Sequence, residues 1–341
     1  MKPVHIVGGG LAGLALAVRL RREEVPVRVS DAGHYPRHRV CGEFLSGVSD
    51  AILDELGIRD LLDDAPSLCS TAWYSGRGRF YAAELPSPAR GISRYTFDRR
   101  LANRVRETGG EVAEGERVRL EREGEPGVVV ATGREPQRDS EWLGLKAHYA
   151  DLDLESDLEM HLGNDGYLGL CEIEGDQVNV CGLFRVRRDL AVTKTTALDA
   201  HLRACGLECL ADRLAGATVD PDSCVAVNAF GFGPQPGHAS GELRVGDRFS
   251  VIGPFTGHGM SMALEGAARI APFLVRFSRG EWGWWETREA AGLELKSAFR
   301  RRLRMSAAMH PFLTNPCGQR VFEATARGGI LPFGAILRWV R

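Results

Sequence analysis

The stretch Val4-His-Ile-Val-Gly-Gly-Gly-Leu-Ala-Gly13 constrains the fold more than any other part of the chain. A short apolar strand runs into a glycine turn, and an apolar helix follows over 11–23. The glycines at Gly8, Gly10 and Gly13 have the GxGxxG spacing. Gly8 permits the tight turn, Gly10 lets a pyrophosphate approach the backbone, and Gly13 lets the helix pack on the strand. Leu11 and Ala12 open that helix, whose unpaired N–H groups and positive dipole end suit phosphate. Val25-Pro-Val-Arg-Val-Ser-Asp31 reads as the next parallel strand. It ends in Asp31, followed by Ala32, about 20 residues past the turn, where a carboxylate accepts ribose hydroxyls. Strand, glycines, helix, strand and terminal acid together predict a dinucleotide site in an α/β chain.

The 341 residues suffice for one or two domains. A net charge of −2 argues against nucleic acid as the main partner. No run of about 18 uncharged apolar residues occurs, so no transmembrane helix is expected. No basic-apolar-small leader precedes the first strand, and a cytoplasmic location is the expectation. The cysteines at 41, 69, 171, 181, 205, 209, 224 and 317 form no CxxC pair and have no zinc-like His/Cys spacing. No metal is expected, and most of these thiols are read as buried in a reducing compartment.

Periodicity predicts a helix over 47–57, ended by Gly57, a hairpin in 69–84 and a helix over 98–109. Residues 144–187 read as β-rich, with strands at 145–149, 158–162, 167–171 and 178–184. Asn164-Asp-Gly166 and Glu174-Gly-Asp176 are turn signals between them. A helix over 194–205, a short strand at 243–247 and a helix over 260–277 follow. The nucleotide-binding pieces are therefore expected at 1–68, 92–143 and 240–277. A substrate domain is expected at 69–91 and 144–239, and a helical C-terminal segment at 278–341.

These separated pieces resemble flavoproteins of the p-hydroxybenzoate hydroxylase fold, the superfamily of aromatic hydroxylases, flavin halogenases and geranylgeranyl reductases. Four motifs carry the resemblance. The first is the turn at Gly8, Gly10 and Gly13 with Asp31. The second is Ser93-Arg94 ahead of Asp98, similar to the segment whose Arg touches FAD. The third is Ala131-Thr132-Gly133, similar to the strand-turn below the FAD adenosine. The fourth is Gly246-Asp247 followed by Pro254-Phe-Thr-Gly-His-Gly259. The resemblance implies a FAD-binding Rossmann-type, glutathione-reductase-like domain, an inserted mainly antiparallel substrate sheet and a helical C-terminus. It implies that Asp247 hydrogen-bonds the ribityl chain and that Pro254, Gly257, His258, Gly259 and Met260 sit at the flavin ring. Backbone N–H groups over 256–260 would stabilise an anionic reduced flavin. Arg37 and Arg39 are expected to face the pyrophosphate. Cys41-Gly42 resembles the Cys-Gly segment beside the flavin of geranylgeranyl reductases. That thiol is read as tuning the flavin, gating it or donating a proton; the bland alternative is a small buried hydrophobe.

The departures from the family pattern bear on the reaction. Thr132 stands where hydroxylases carry the Asp of an Asp-Gly motif associated with NADPH. Thr256-Gly-His-Gly259 replaces their Gly-Gly-Gln-Gly. The reductases' Tyr-x-Trp-x-Phe-Pro is reduced to Tyr167-Leu-Gly-Leu170, and the halogenases' Trp-x-Trp-x-Ile-Pro is absent. The reading leans to reduction of a carbon–carbon double bond in an apolar isoprenoid, polyketide or quinone-like molecule by flavin hydride, with Cys41 and His258 as proton-donor candidates. The alternative is an NAD(P)H-dependent monooxygenase hydroxylating a phenolic or polyketide substrate through a C4a-hydroperoxide. A non-catalytic flavin-binding protein is the third reading. NADPH, NADH or an external reductase would deliver electrons, and a monomer is expected. His148, Tyr149 and Tyr167 are substrate-wall candidates from alternating strand positions. The tryptophans at 282, 284 and 285 are read chiefly as core packing. The apolar piece 329–339 with its basic end suits closing a cavity, pairing with a partner or grazing a membrane.

Overall fold

The computed structural model describes residues 1–120, 125–137, 139–235 and 241–329. The chain opens with β1 (Val4–Val7), α1 (Leu11–Arg21) and β2 (Val27–Asp31). After β3 (Phe44–Leu45), α2 (Asp50–Leu56) is capped by the Ser49 hydroxyl, which accepts from the Ile52 N–H, and is closed by Gly57 at φ +72°. A hairpin of β4 (Ser67–Ser75) and β5 (Gly78–Gly91) precedes α3 (Arg94–Glu107), β6 (Glu111–Glu114) and β7 (Val128–Val130). A meander follows: β8 (Trp142–Ala150), β9 (Leu158–Gly163), β10 (Gly166–Ile173) and β11 (Gln177–Arg185). Then come α4 (Ala197–Ala204), α5 (Glu208–Ala215), β12 (Thr218–Val227), β13 (Gly233–Pro234), β14 (Leu243–Arg244) and β15 (Ser250–Val251). Three helices end the described chain: α6 (Gly259–Arg279), α7 (Trp284–Thr314) and α8 (Pro316–Arg327).

Two large sheets organise these elements. The first is parallel throughout, in the order β14-β7-β1-β2-β6. Parallel strands need crossover connections, and the helices that supply them cover the sheet. α1 is buried from Leu11 through Val18, so it reads apolar nearly all round. It packs against α3 and α6, and α7 adds Ala291, Leu295 and Phe299 to the same core.

The second sheet runs β12-β8-β11-β10-β9-β4-β5-β3, antiparallel except where β4 meets β9. Its register sorts side chains by face. One row reads His148, Asn179, Cys171, Leu158, Thr71, and the next reads Lys146, Cys181, Gly169, Met160, Trp73. A third reads Gly144, Leu183, Tyr167, Leu162, Ser75. The opposite face carries Leu145, Ala147, Tyr149, Leu168, Leu170 and Val180, which pack under α4 and α5. Tyr149 therefore faces helices, whereas Tyr167 and His148 share the inner face.

Several expectations shift. The helix expected over 98–109 starts four residues earlier, because the Ser93 hydroxyl accepts from the Thr96 N–H at 3.0 Å and caps it. α5 and β12 lie where no element was expected. β12 contains Pro221 and two acids, and it sits at the sheet edge with a register shift between Asp220 and Val225, where proline is tolerated. Cys69, Cys209 and Cys317 are exposed, Cys41 and Cys181 half-buried, and only Cys171, Cys205 and Cys224 fully buried. Of the three tryptophans, Trp282 and Trp284 pack on Phe273 and Phe277, while Trp285 is 70% exposed. No helix among the described residues is long and apolar enough to cross a membrane. The apolar C-terminal piece lies outside the described residues from residue 330 on.

Candidate active site

The glycine turn follows directly from the way β1 enters α1. Gly8 has φ +112°, and a Cβ there would collide with the Ala131 carbonyl at the end of β7. A Cβ on Gly13 would strike the Gly8 carbonyl. Gly10 differs: its backbone is ordinary and extended, and the nearest atom to an added Cβ is the Arg94 guanidinium at 3.8 Å. Open space lies above Gly10, and α1 begins without a side-chain cap or an acid in its first turn. The N–H groups of Leu11, Ala12 and Gly13 therefore form an uncompensated positive end.

Charged side chains ring this turn. Asp31, at the end of β2 and next to exposed Ala32, accepts from the N–H groups of Gly9 and Gly33, both at 2.8 Å. Arg37 pairs with it at 2.6 Å and Arg39 approaches to 3.9 Å. Burial pushes the Asp31 carboxyl up, but the Gly33 N–H and Arg37 outweigh it and hold it below the usual range. Arg94, at the start of α3, grips fully buried Asp98 with two 2.8 Å hydrogen bonds, and Arg39 joins at 3.2 Å.

Two further motifs meet the turn. The Ala131 N–H donates to the Val7 carbonyl at 2.7 Å, which sets Ala131-Thr132-Gly133 against β1. Gly246 has φ +63°, and a Cβ there would lie 2.8 Å from the Ala12 side chain. Asp247 is exposed, yet the protein around it holds its carboxyl above the usual range while Arg94, Arg134 and Arg39 oppose the shift. Gly246 and Asp247 border a small pocket together with Gly259 and Met262.

A separate cavity opens beside Pro254–His258, with about 1070 Å³ of empty space that includes solvent at its mouth. One wall is the strip Val40–Ser46, another is the inner face of the second sheet, and the third is Pro254–His258. Trp73, Tyr167, Phe230 and Phe255 supply most of its aromatic surface. Gly257 has φ +67° and lies close to Phe44, so the third wall touches the first. His258 is buried; its carbonyl accepts from the Ser261 hydroxyl at 3.1 Å as α6 begins. Met260 is buried behind it, whereas Gly259 and Pro254 are exposed. Cys41 lines the cavity, and its thiol accepts from the Glu43 N–H at 3.4 Å. Burial pushes its pKa up, with Arg94 opposing, so the thiol keeps its proton at neutral pH.

Behind Cys41 lies a buried charge group that the sequence reading missed. Glu43 is fully buried at φ +53°. It accepts from Lys146 at 2.9 Å and from the Arg94 backbone N–H at 2.8 Å, and it lies 2.6 Å from His148 Nε2. Burial alone would raise the Glu43 carboxyl, but His148 and the Lys146 charge hold it below the usual range. His38 stacks on Tyr95 and lies edge-on to His148; burial and the Lys146 charge push it down to about 4. The Asn179 amide donates to the Cys41 and Gly42 carbonyls at 3.1 and 2.9 Å. His148 thus anchors the strip rather than lining the cavity. Strict alternation of Lys146 and His148 against Leu145, Ala147 and Tyr149 was the available signal, since it puts two basic groups on one face.

The sequence matches no known protein-family description and no curated protein. Solved structures resemble it along nearly its whole length. The flavin-dependent brominase Bmp2 is 17% identical, with a TM-score of 0.75 over 99% of this chain and 92% of its own. Klebsiella pneumoniae HpxO, complexed with FAD and uric acid, is 15% identical, with a TM-score of 0.75 over 99% of this chain and 95% of its own. The p-nitrophenol 4-monooxygenase PnpA from Pseudomonas putida DLL-E4 is 15% identical, with a TM-score of 0.75 over 99% and 96%. The chain therefore has the fold of the p-hydroxybenzoate hydroxylase group: a Rossmann-like parallel sheet, a separate mostly antiparallel sheet and C-terminal helices. The nearer likeness to geranylgeranyl reductases is carried by sequence motifs alone.

Proposed function

We propose that the protein is a FAD-dependent monooxygenase that transfers oxygen to an apolar small molecule and draws electrons from NADH or NADPH. The observation that carries this reading is the cavity enclosed by Cys41–Gly42, the inner sheet face and Pro254–His258, in a fold shared with a p-nitrophenol 4-monooxygenase. The residues fit FAD: α1 is uncapped, Gly10 leaves open space, and Asp247 borders a pocket with Gly246 and Gly259. Gly8, Gly10, Leu11, Ala12 and Gly13, with Arg39 and Arg94, would hold the pyrophosphate. Asp31 and Ala32 would flank the adenosine ribose, with Ala131, Thr132 and Gly133 beneath it. Gly246 and Asp247 would take the ribityl chain, and Pro254, Gly257, His258, Gly259 and Met260 the ring. Bound FAD supplies the two-electron and oxygen chemistry. The chain's own part is to orient the substrate on aromatic walls, exclude water and keep the Cys41 proton in place.

A second reading, double-bond reduction as in geranylgeranyl reductases, is supported by the protonated Cys41 thiol at the cavity wall. One experiment separates the two. The FAD-loaded protein is mixed with NADH or NADPH, once in air with phenols and once without oxygen with apolar alkenes, and products are identified by mass spectrometry. Oxygenated phenols in air are the expected result. Saturated alkene without any oxygenated product transfers the assignment to the reductase reading. A protein that never takes up FAD ends both.

A further inference from the structure

The cavity has one property that its apolar character alone does not convey. Among the described residues, no Asp, Glu, Lys or Arg lines it. Its titratable side chains are the thiols of Cys41 and Cys181, the Tyr167 phenol and the His258 ring. Burial pushes both thiols and the phenol up, so all three hold their protons at neutral pH. Behind the Cys41 strip the buried charges are paired: Glu43 with Lys146 at 2.9 Å and Arg94 with Asp98 at 2.8 Å. An anionic ligand entering this space would lose its hydration without meeting a lysine or arginine side chain.

Two hydroxyls on the wall, those of Thr71 and Tyr167, have no hydrogen-bond partner among the described residues, and Tyr167 lies beside the Phe255 backbone N–H. Thr71, on the inner face of β4, is 1% exposed. Its row neighbours are Leu158 and Cys171, and Trp73 follows on the same strand face. Buried polar groups are nearly always paired, so an orphan hydroxyl on a cavity wall points to a group the cavity receives.

We propose that this cavity selects an electrically neutral, aromatic or polycyclic molecule carrying one hydroxyl or carbonyl group, which hydrogen-bonds to Thr71. The proposal rests on reading the cavity as the substrate chamber. It makes Thr71 a specificity residue and excludes carboxylates such as benzoates from the substrate class.

The test measures binding rather than turnover, by calorimetry on the protein with and without added FAD. The probes are 2-naphthol, 2-naphthoate and naphthalene near neutral pH. Expected are at least tenfold tighter binding of 2-naphthol than of 2-naphthoate and about fivefold weaker binding of 2-naphthol to Thr71→Val. Naphthalene binding should be unchanged in Thr71→Val, and Thr71→Ser should restore 2-naphthol affinity, which separates a lost hydrogen bond from a distorted wall. Naphthoate binding as tightly as naphthol overturns the proposal. So does Thr71→Val binding 2-naphthol like the parent, or losing both ligands equally. If the binding pattern holds but no oxygenated product ever forms, the monooxygenase reading falls and this selectivity stands.

Discussion

Alanine at Gly8 and alanine at Gly10 are expected to fail differently. At Gly8 the new methyl meets the Ala131 carbonyl in a left-handed backbone, so Gly8→Ala should give aggregated or unfolded protein. At Gly10 the backbone is ordinary and the space is open. Gly10→Ala should therefore fold with the parent's circular dichroism and melting temperature while weakening FAD binding at least tenfold in a fluorescence titration. The buried charge group gives a second prediction. Lys146→Met leaves Glu43 without its cation, and breaking such a pair costs about 3–5 kcal/mol in urea unfolding. Adding Glu43→Gln to Lys146→Met should recover part of that loss, because the uncompensated charge is gone. His38 adds a pH dependence. Its folded pKa lies at about 4 against an ordinary 6.5, so the unfolded chain binds the proton more readily. The His38 contribution is complete above about pH 6.5 and lost as pH falls toward 4; His38→Gln should flatten that part of a stability-versus-pH curve. Of these residues, the glycines were legible because their spacing is local. Glu43, Lys146 and His148 were not, since about a hundred positions separate the acid from its partners and only the fold unites them.

At the scale of elements, what could be read was what repeats with a regular period. β1, α1 and β2 announce themselves through glycine and apolar runs, and the meander β8–β11 through alternation broken at turns. β12 was hidden by Pro221 and its acids, which an edge strand with a register shift accommodates. The start of α3 was hidden because a serine cap five residues upstream outweighs the weaker apolar pattern behind it. α8 also matters beyond its own stability. Phe322 packs on Trp73 at 5.3 Å and on Phe80 at 6.1 Å between ring centroids, so this helix buttresses the cavity wall from behind. Phe322→Ala should destabilise the protein by about 3 kcal/mol in chemical denaturation. It should also shift Trp73 emission and weaken 2-naphthol binding, although Phe322 is not among the lining residues.

Across the whole molecule, the strip Val40–Ser46 belongs to both halves. Its carbonyls are held by Asn179 and its acid by Lys146 and His148 of the second sheet. The Arg94 N–H holds the same acid from the first half, and the Ile92 N–H donates to the Glu43 carbonyl. A segment clamped from two sides cannot follow one half without the other. Coupling between a ligand on the glycine-turn side and one in the aromatic cavity is therefore expected to run through this strip, and any such coupling is symmetric by thermodynamic necessity. The factor by which FAD tightens 2-naphthol should equal the factor by which 2-naphthol tightens FAD, and cutting the clamp with Asn179→Ala should drive both factors toward one. Paired titrations would measure this directly. The strip would then act as a common hinge pin, making cofactor occupancy and substrate affinity a single tunable quantity.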